Sequence, residues 1–431
     1  MKYFAILKDS FRETVDSKLL YVTLALSAIL LFIVGSVSFH RLTLKEQLDG
    51  VAWVYGLAFG QGAVTCEVGD VVQTNDAPEP WRGDYRFTMI LHFGSEDQAK
   101  NDGLPKKFQL EFFVRELCWW LENVETRTAD NPNKNEIHVE FTSRGTKIAN
   151  AQSWPHEPQL FFGAVPLGAF SHQSLNYWVY WIENRLVNTI GAWVAVLIGI
   201  VVTASFVPNM LHKGTVDLLL SKPIRRPTLL VFKYLGGLTF VFLNAAFAIV
   251  GVWLLLGLRT GIWAPGFLVC VVVITFFFAV LYAISALVGV LTRSAIICIV
   301  LTCLAWFVFW LVGVVHGALT APDSPSEARM RRAQALGKAE DDPIPAKTGP
   351  GNIAWLKTTV NVLQRVMPRT SDLSRLTTQF LSTELLTPAE RRQHEIARDL
   401  SFTWAESISV CCAYIGVMLG LACWRFARKD Y

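Results

Sequence analysis

Residues 186–206 read LVNTIGAWVAVLIGIVVTASF, a run without a formal charge. Wound as an α-helix at 1.5 Å per residue, it crosses the roughly 30 Å hydrocarbon layer of a bilayer. The composition around it agrees: 52% of the 431 residues are hydrophobic and 17% charged, whereas a soluble domain carries about 25% charge. Outward from this run, further windows meet the same test at 19–39, 234–258, 267–291, 295–315 and 402–424, and only the last holds a formal charge, Glu406. The sequence therefore predicts an α-helical polytopic membrane protein with six transmembrane helices. Two long polar segments, 40–185 and 316–400, interrupt the spans, and the other connections are short.

Lysine and arginine near the span ends set the orientation. Residues 207–233 hold Lys213, Lys222, Arg225, Arg226 and Lys233 against one acid, Asp217. The turn after the fourth span holds Arg293, the tail 425–431 holds Arg425, Arg428 and Lys429, and the turn 259–266 has only Arg259. Basic and less basic ends alternate as six spans require. Both termini and residues 207–233 are thus expected in the cytoplasm, with the chain in a bacterial inner membrane. Segment 40–185 carries 13 basic and 19 acidic residues, a net of −6, which suits the outside. The overall charge of +4 is topological and gives no reason to expect nucleic acid as a partner. The run 19–39 is longer than the 7–15-residue core of a cleaved signal peptide, so it reads as a retained span. Before it, over 1–18, Phe4, Leu7, Phe11 and Val15 share one helical face, as in an amphipathic helix lying in the inner interface.

Segment 40–185 is long enough for a domain with its own core. Tyr85, Phe87, Met89, Leu91 and Phe93 alternate with more polar neighbours, and Ile137, Val139 and Phe141 repeat the pattern, so both stretches predict strands. Between them Leu110, Val114, Leu117 and Leu121 stand at helical spacing. The expectation is an inserted extracytoplasmic α+β domain, one small sheet with a helix packed on it, and QLFFGAVPLGAF (159–170) as a last strand. Cys66 and Cys118 fall here, and an oxidising compartment would permit a bridge between them; the other six cysteines lie in spans. Segment 316–400 begins as a linker rich in Pro, Ala and charge with little to bury. Ile353, Leu356, Val360, Leu363 and Val366 then take helical spacing, either on the outer membrane surface, against the first outer domain, or in a small soluble subdomain.

Catalytic signatures are sparse. A P-loop needs G-x-x-x-x-G-K-[ST], whose glycines let backbone amides wrap phosphates, and no such string occurs. His394 and Glu395 start like a zinc peptidase motif, but the position of the second histidine is Arg398, and no G-x-S-x-G is present. The chain is not expected to be an enzyme, nor to bind a metal or cofactor itself. Within the spans, Asn244 and Glu406 are the costliest residues to bury. Asn244 either lines a pathway or bonds a neighbouring helix; Glu406, one turn inside its span, either serves the pathway or reaches the interface. Trp178, Trp181, Trp263, Trp310, Trp404 and Trp424 sit near span ends, as interfacial rings do.

Residues 211–227, LHKGTVDLLLSKPIRRP, then stand out. Val216, Leu218, Leu219 and Leu220 form an apolar ridge flanked by Lys213, Lys222, Arg225 and Arg226, which needs either a bilayer surface or a protein partner to cover it. The stretch KGTVDLLLSKPIRRPTLLVFKYLGG resembles the cytoplasmic signature of type-2 ABC transporter permeases, particularly the branch described as permease components for multi-copper enzyme maturation. Gly214, Thr215, Leu219, Leu220, Ser221, Pro223, Arg226 and Lys233 carry the likeness. The amphipathic start, six spans, a large segment after the first and the ending WRFARKDY accompany it. Members often carry acids just before the Gly-Thr pair, where this chain has Met210 and His212.

The resemblance implies that two permeases, identical or related, pair around a shared path. Two separate P-loop ATPase subunits, holding ATP and Mg, would dock beneath. The segment Lys213, Gly214, Thr215, Asp217, Leu218, Leu219, Leu220, Ser221, Pro223, Arg225 and Arg226 would enter a groove on each ATPase, with Arg293 as a second, minor contact. Two other functions compete: a membrane-anchored binding or signalling protein that works without an ATPase, and a membrane enzyme, which would need titratable groups converging at an interface.

Overall fold

The computed structural model describes residues 18–59, 64–118, 121–129, 133–145, 150–167, 173–211, 226–320 and 404–428, with short pieces between 359 and 386. An apolar helix α1 (Lys18–Ser36) leads through β1 (Ser38–Arg41) into α2 (Leu44–Phe59), β2 (Val64–Gln73), β3 (Tyr85–Phe93), α3 (Glu96–Leu117), β4 (Glu122–Ala129) and β5 (Glu136–Arg144). A hairpin, β6 (His156–Leu160) and β7 (Val165–Pro166), returns the chain to the bundle. There α4 (Leu175–Arg185), a π-helix (Leu186–Ala195), α5 (Val196–Thr203) and α6 (Phe206–Met210) form one helical run of 36 residues. The long helices α7 (Arg226–Thr260), α8 (Cys270–Thr292), α9 (Ala295–Thr320) and α10 (Trp404–Arg428) complete the molecule.

Among the described residues, five helices are long and apolar enough to cross a membrane: the 36-residue run, α7, α8 with the short turn before it, α9 and α10. The window expected at 19–39 corresponds to α1, which is equally apolar but shorter.

The bundle is organised around α8. Lipid tails are as apolar as leucine, so helices in a bilayer are held by close packing and internal hydrogen bonds rather than by escape from water. Ala279, Ala283, Ala286 and Gly289 of α8 are short enough for neighbouring helices to approach. On α7, Tyr234 stacks on Tyr282 with ring centroids 5.1 Å apart, and its hydroxyl donates to Ala279 O at 2.7 Å. Gly237 makes that approach possible, since a Cβ there would stand 2.5 Å from the Tyr282 ring. The same device admits α1: a Cβ on Gly251 would lie 2.6 Å from Leu31.

The sheet unit follows water rules instead. Its four antiparallel strands run in the order β2-β3-β5-β4. Every odd-numbered residue of β3 from Tyr85 to Phe93 is buried, as the alternation predicts. Phe87 pairs with Phe141 across β3 and β5, and their rings stack at 5.1 Å. Both α2 and α3 contribute to the core, through Leu48, Val51 and Tyr55 on one and Leu110 and Val114 on the other. Ser95 caps α3, accepting from the Gln98 N–H at 3.3 Å. The opposite side of α3 leaves Leu104, Phe108 and Phe112 exposed in a row.

A small second sheet, β1-β6-β7, ties this unit to the bundle. The Leu42 carbonyl accepts from both Trp154 Nε1 at 2.8 Å and Gln47 Nε2 at 3.2 Å, while Trp178 Nε1 of α4 donates to His156 O at 2.9 Å. Buried His156 donates from Nδ1 to Trp154 O at 2.7 Å. Burial, reinforced by Arg41 and His40, holds this imidazole below its ordinary pKa, although the bond to Trp154 works the other way.

Several expectations are corrected. The sheet carries two helices, not one, because α2 presents Leu44, Leu48, Val51, Ala52 and Tyr55 on a single face. The helix holding Leu110 and Val114 ends at Leu117 with Cys118 as its cap, so buried Leu121 lies beyond it. QLFFGAVPLGAF is not one strand: Phe161 and Phe162 adopt left-handed backbone, φ 51° and 58°, and turn the chain between β6 and β7. Phe162 instead meets Phe32 of α1 and lies under the Arg259 guanidinium. The amphipathic face of Phe4, Leu7, Phe11 and Val15 lies outside the described residues, as does most of 353–366, of which Val360 is buried. From segment 316–400, Leu381 and Leu386 are buried in the same apolar cluster as residues of α4 and α7, and Thr377 donates to Asn188 at 2.8 Å.

Candidate functional site

The segment carrying Lys213, Gly214, Thr215, Asp217, Leu218, Leu219, Leu220, Ser221, Pro223 and Arg225 lies outside the described residues, but both of its anchors are described. On the leading side, α6 buries Val207, Pro208 and Met210, and the first two pack around Gly289 of α8. On the trailing side, α7 starts at Arg226, buries Leu229 and Leu230, and brings Pro227 O to 3.8 Å from Cys423 Sγ of α10.

The turn at Arg293 closes the same end. Arg293 takes left-handed backbone, φ 55° and ψ 23°, and its N–H caps α8 by donating to Gly289 O at 2.9 Å. The Thr292 hydroxyl donates to Val288 O at 2.9 Å. The chain thereby reverses within two residues and enters α9.

These contacts gather the end of α6, the start of α7, the α8–α9 turn and the end of α10 at one end of the bundle. Arg226, Arg293, Arg425 and Arg428 are carried there together, with Arg428 placed 4.6 Å over the Trp424 ring. No acid stands in 206–211, 226–233, 288–298 or 418–428. A cationic end of this kind suits an acidic protein surface or anionic headgroups.

The two polar span residues part company. Asn244 lies on α7; its Nδ2 donates to its own helix at Phe240 O, 3.0 Å away, and among the described residues to no neighbouring helix. Its Oδ1 is enclosed and accepts no hydrogen bond from the described residues. Asn244 also lines a cavity of about 210 Å³ between α1, the π-helix, α7 and α8. Glu406 lies in the first turn of α10, and its side chain is outside the described residues.

Cys66 and Cys118 are free thiols here, so the bridge considered between them is not formed. Both belong to the sheet unit's core, Cys118 wholly enclosed, and burial pushes each thiol up to about 12. Thiolate, the form that attacks a disulfide or an oxidant, is therefore scarce at neutral pH.

Sequence reasoning missed the cavity and its π-helical wall. NTIG (188–191) sets polar and small residues inside an otherwise apolar run, but nothing in it specifies the π pitch.

No curated protein matches the chain. The sequence model of the ABC-2 family transporter protein matches it over residues 4–431, nearly its whole length. Members of that family are in general the permease part of an ABC transporter, and their usual working partner is an ATPase. This chain belongs to the ABC-2 family.

Proposed function

We propose that the chain is a permease subunit crossing a bacterial inner membrane six times, α1 included, with both termini and residues 207–233 in the cytoplasm and the sheet unit outside. Two copies of a separate P-loop ATPase, carrying ATP and Mg, dock under a pair of permeases formed by two copies of this chain or by this chain and a relative. Residues 213–226 enter a groove of the ATPase, where Leu218, Leu219 and Leu220 supply contact area and Arg225 and Arg226 set the orientation; Arg293 makes the minor contact. Closure of the ATPases on ATP pulls the segment and, through α6 and α7, shifts the helices packed on α8. That motion moves a substrate along the shared path or is passed to the sheet unit.

The observation that carries this reading is the convergence of both anchors of the segment with Arg293 and the α10 terminus at one cationic end. The test is gentle purification of the tagged protein from its own host, followed by identification of co-purifying chains and an ATPase assay. A stoichiometric P-loop ATPase is expected, with hydrolysis uncoupled from function when Leu219 and Arg226 are replaced. Unchanged coupling in that variant would refute the assignment of the segment. The exposed row Leu104, Phe108 and Phe112 favours a second reading, a membrane-anchored binding protein. Recovery of an intact complex without any ATPase would select it.

A further inference from the structure

The four-stranded sheet carries α2 and α3 side by side, and both helices turn a second apolar stripe away from the core. Trp53 and Leu57 stand opposite Leu48, Val51 and Tyr55 on α2, while Leu104, Phe108 and Phe112 follow one another at i, i+4 on α3. All five side chains are at least 60% exposed. At about 150–250 Å² for an aromatic side chain and somewhat less for leucine, they present on the order of 600 Å² of apolar surface. That is the upper end of the roughly 300–600 Å² patch of an ordinary monomer, and with a polar rim it reaches the roughly 800 Å² per partner of a specific interface.

The two stripes lie level with each other. Val64, shortly after α2, pairs with Phe93, shortly before α3, so the helices run antiparallel from a shared end of the sheet. Tyr55 fixes their offset: its hydroxyl donates to Lys106 O at 2.9 Å, and its ring meets that of Phe113 at 6.0 Å. Counting about 1.5 Å per residue in opposite directions from there sets Leu57 level with Phe108, Trp53 with Phe112 and Asp49 with Arg115. Asp49 continues the row of Trp53 and Leu57, and Arg115 that of Phe108 and Phe112; both are exposed. The charges acting on Asp49 within the chain are Lys45 and Glu46, not Arg115. Each copy therefore offers an apolar face with an acid at the end of one row and a base, level with it, at the end of the other.

We infer that this face meets the same face of a second copy of the chain, through a two-fold axis that lies between the copies and parallel to the helices. Such an axis sets α2 of one copy on α3 of the other. Leu57 then packs on the partner's Phe108, Trp53 on the partner's Phe112, and Asp49 faces the partner's Arg115, each contact being made twice. The charges choose this axis. One at right angles to the helices would lay α3 on the partner's α3 and bring Arg115 beside the partner's Lys100, like charge against like. The pairing rests on the reading of the chain as one of two permeases; it makes the second an identical copy and gives the sheet unit the task of selecting it.

The test uses the full-length protein in membrane vesicles, with the photoreactive analogue benzoylphenylalanine in place of Phe108 and a second, differently tagged copy co-expressed. Irradiation should give an adduct of twice the chain mass that carries both tags and is joined near Leu57. Asp49→Arg and Arg115→Asp each set like charges opposite one another at two symmetric points, and each alone should lower the adduct yield about three- to tenfold. Co-expressed, the two variants should restore the yield, because each supplies the charge that the other lacks; misfolded variants would give no such recovery. Adducts with lipid or with another protein, and none carrying both tags, would overturn the pairing. A yield indifferent to the charge variants would overturn the axis. Co-purification of the ATPase is scored separately: loss of the adduct with the ATPase retained refutes this interface alone, and the converse refutes the coupling reading alone.

Discussion

Helices α8 and α9 are neighbours in sequence and equally apolar, yet 72% of the apolar window in α8 is buried inside the protein against 22% in α9. Apolarity states that both leave water; it does not state what they meet instead. The difference lies in side-chain size and placement. Helix α8 alternates small residues with Phe278 and Tyr282, so α5, α6, α7, α9 and α10 all pack on it. Helix α9 turns Ile296, Val300, Leu304 and Phe307 outward, in the manner of a surface made for acyl chains.

Truncation should expose this contrast. Phe278 is fully buried, so Phe278→Ala is expected to cost about 3–5 kcal/mol, read as a large fall in Tm of the detergent-solubilised protein. A small effect would mean that α8 is not the packing centre. Tyr234→Phe removes only the hydroxyl that reaches Ala279 O, and a loss of about 1 kcal/mol is expected; the ring stack remains to hold α7. Val300→Ala should stay within about 0.5 kcal/mol, as substitutions that disturb no packed contact do. If it instead breaks up an oligomer in size-exclusion chromatography, the outward face of α9 meets a second copy rather than lipid.

The bundle was legible because length and apolarity alone define a span, and each apolar window except the shorter first one falls on a helix long enough to cross. In the sheet unit β3 was legible because its side chains alternate strictly. Strand β4, ENVETRTA, has no such signal: it lies at the sheet edge and is a strand because β5 pairs with it. Phe161 and Phe162 misled in the opposite way, since their strand preference yields to the left-handed turn of the hairpin. The π-helix was hidden for a third reason. Its wider pitch depends on which carbonyl each N–H finds, a choice made by the packed neighbours and not by local preference. At the candidate site, the basic flanks and the prolines drew attention to 213–226, whereas the gathering of Arg226, Arg293 and Arg428 at one end required the fold.

The two donors that share the Leu42 carbonyl have a mechanical meaning. Trp154 and Gln47 clamp the chain directly after α1, and Trp178 clamps the start of the 36-residue helical run to the same hairpin. A joint fixed at these points cannot swivel freely, so the sheet unit inherits the inclination of the helices below it. The nine residues of β3 alone measure about 30 Å at roughly 3.4 Å each. If an arm of that length were set along the helices, a tilt of about ten degrees would sweep its end by about 5 Å. The junction is thus a stiff joint, through which any rocking of the helices would carry the sheet unit along.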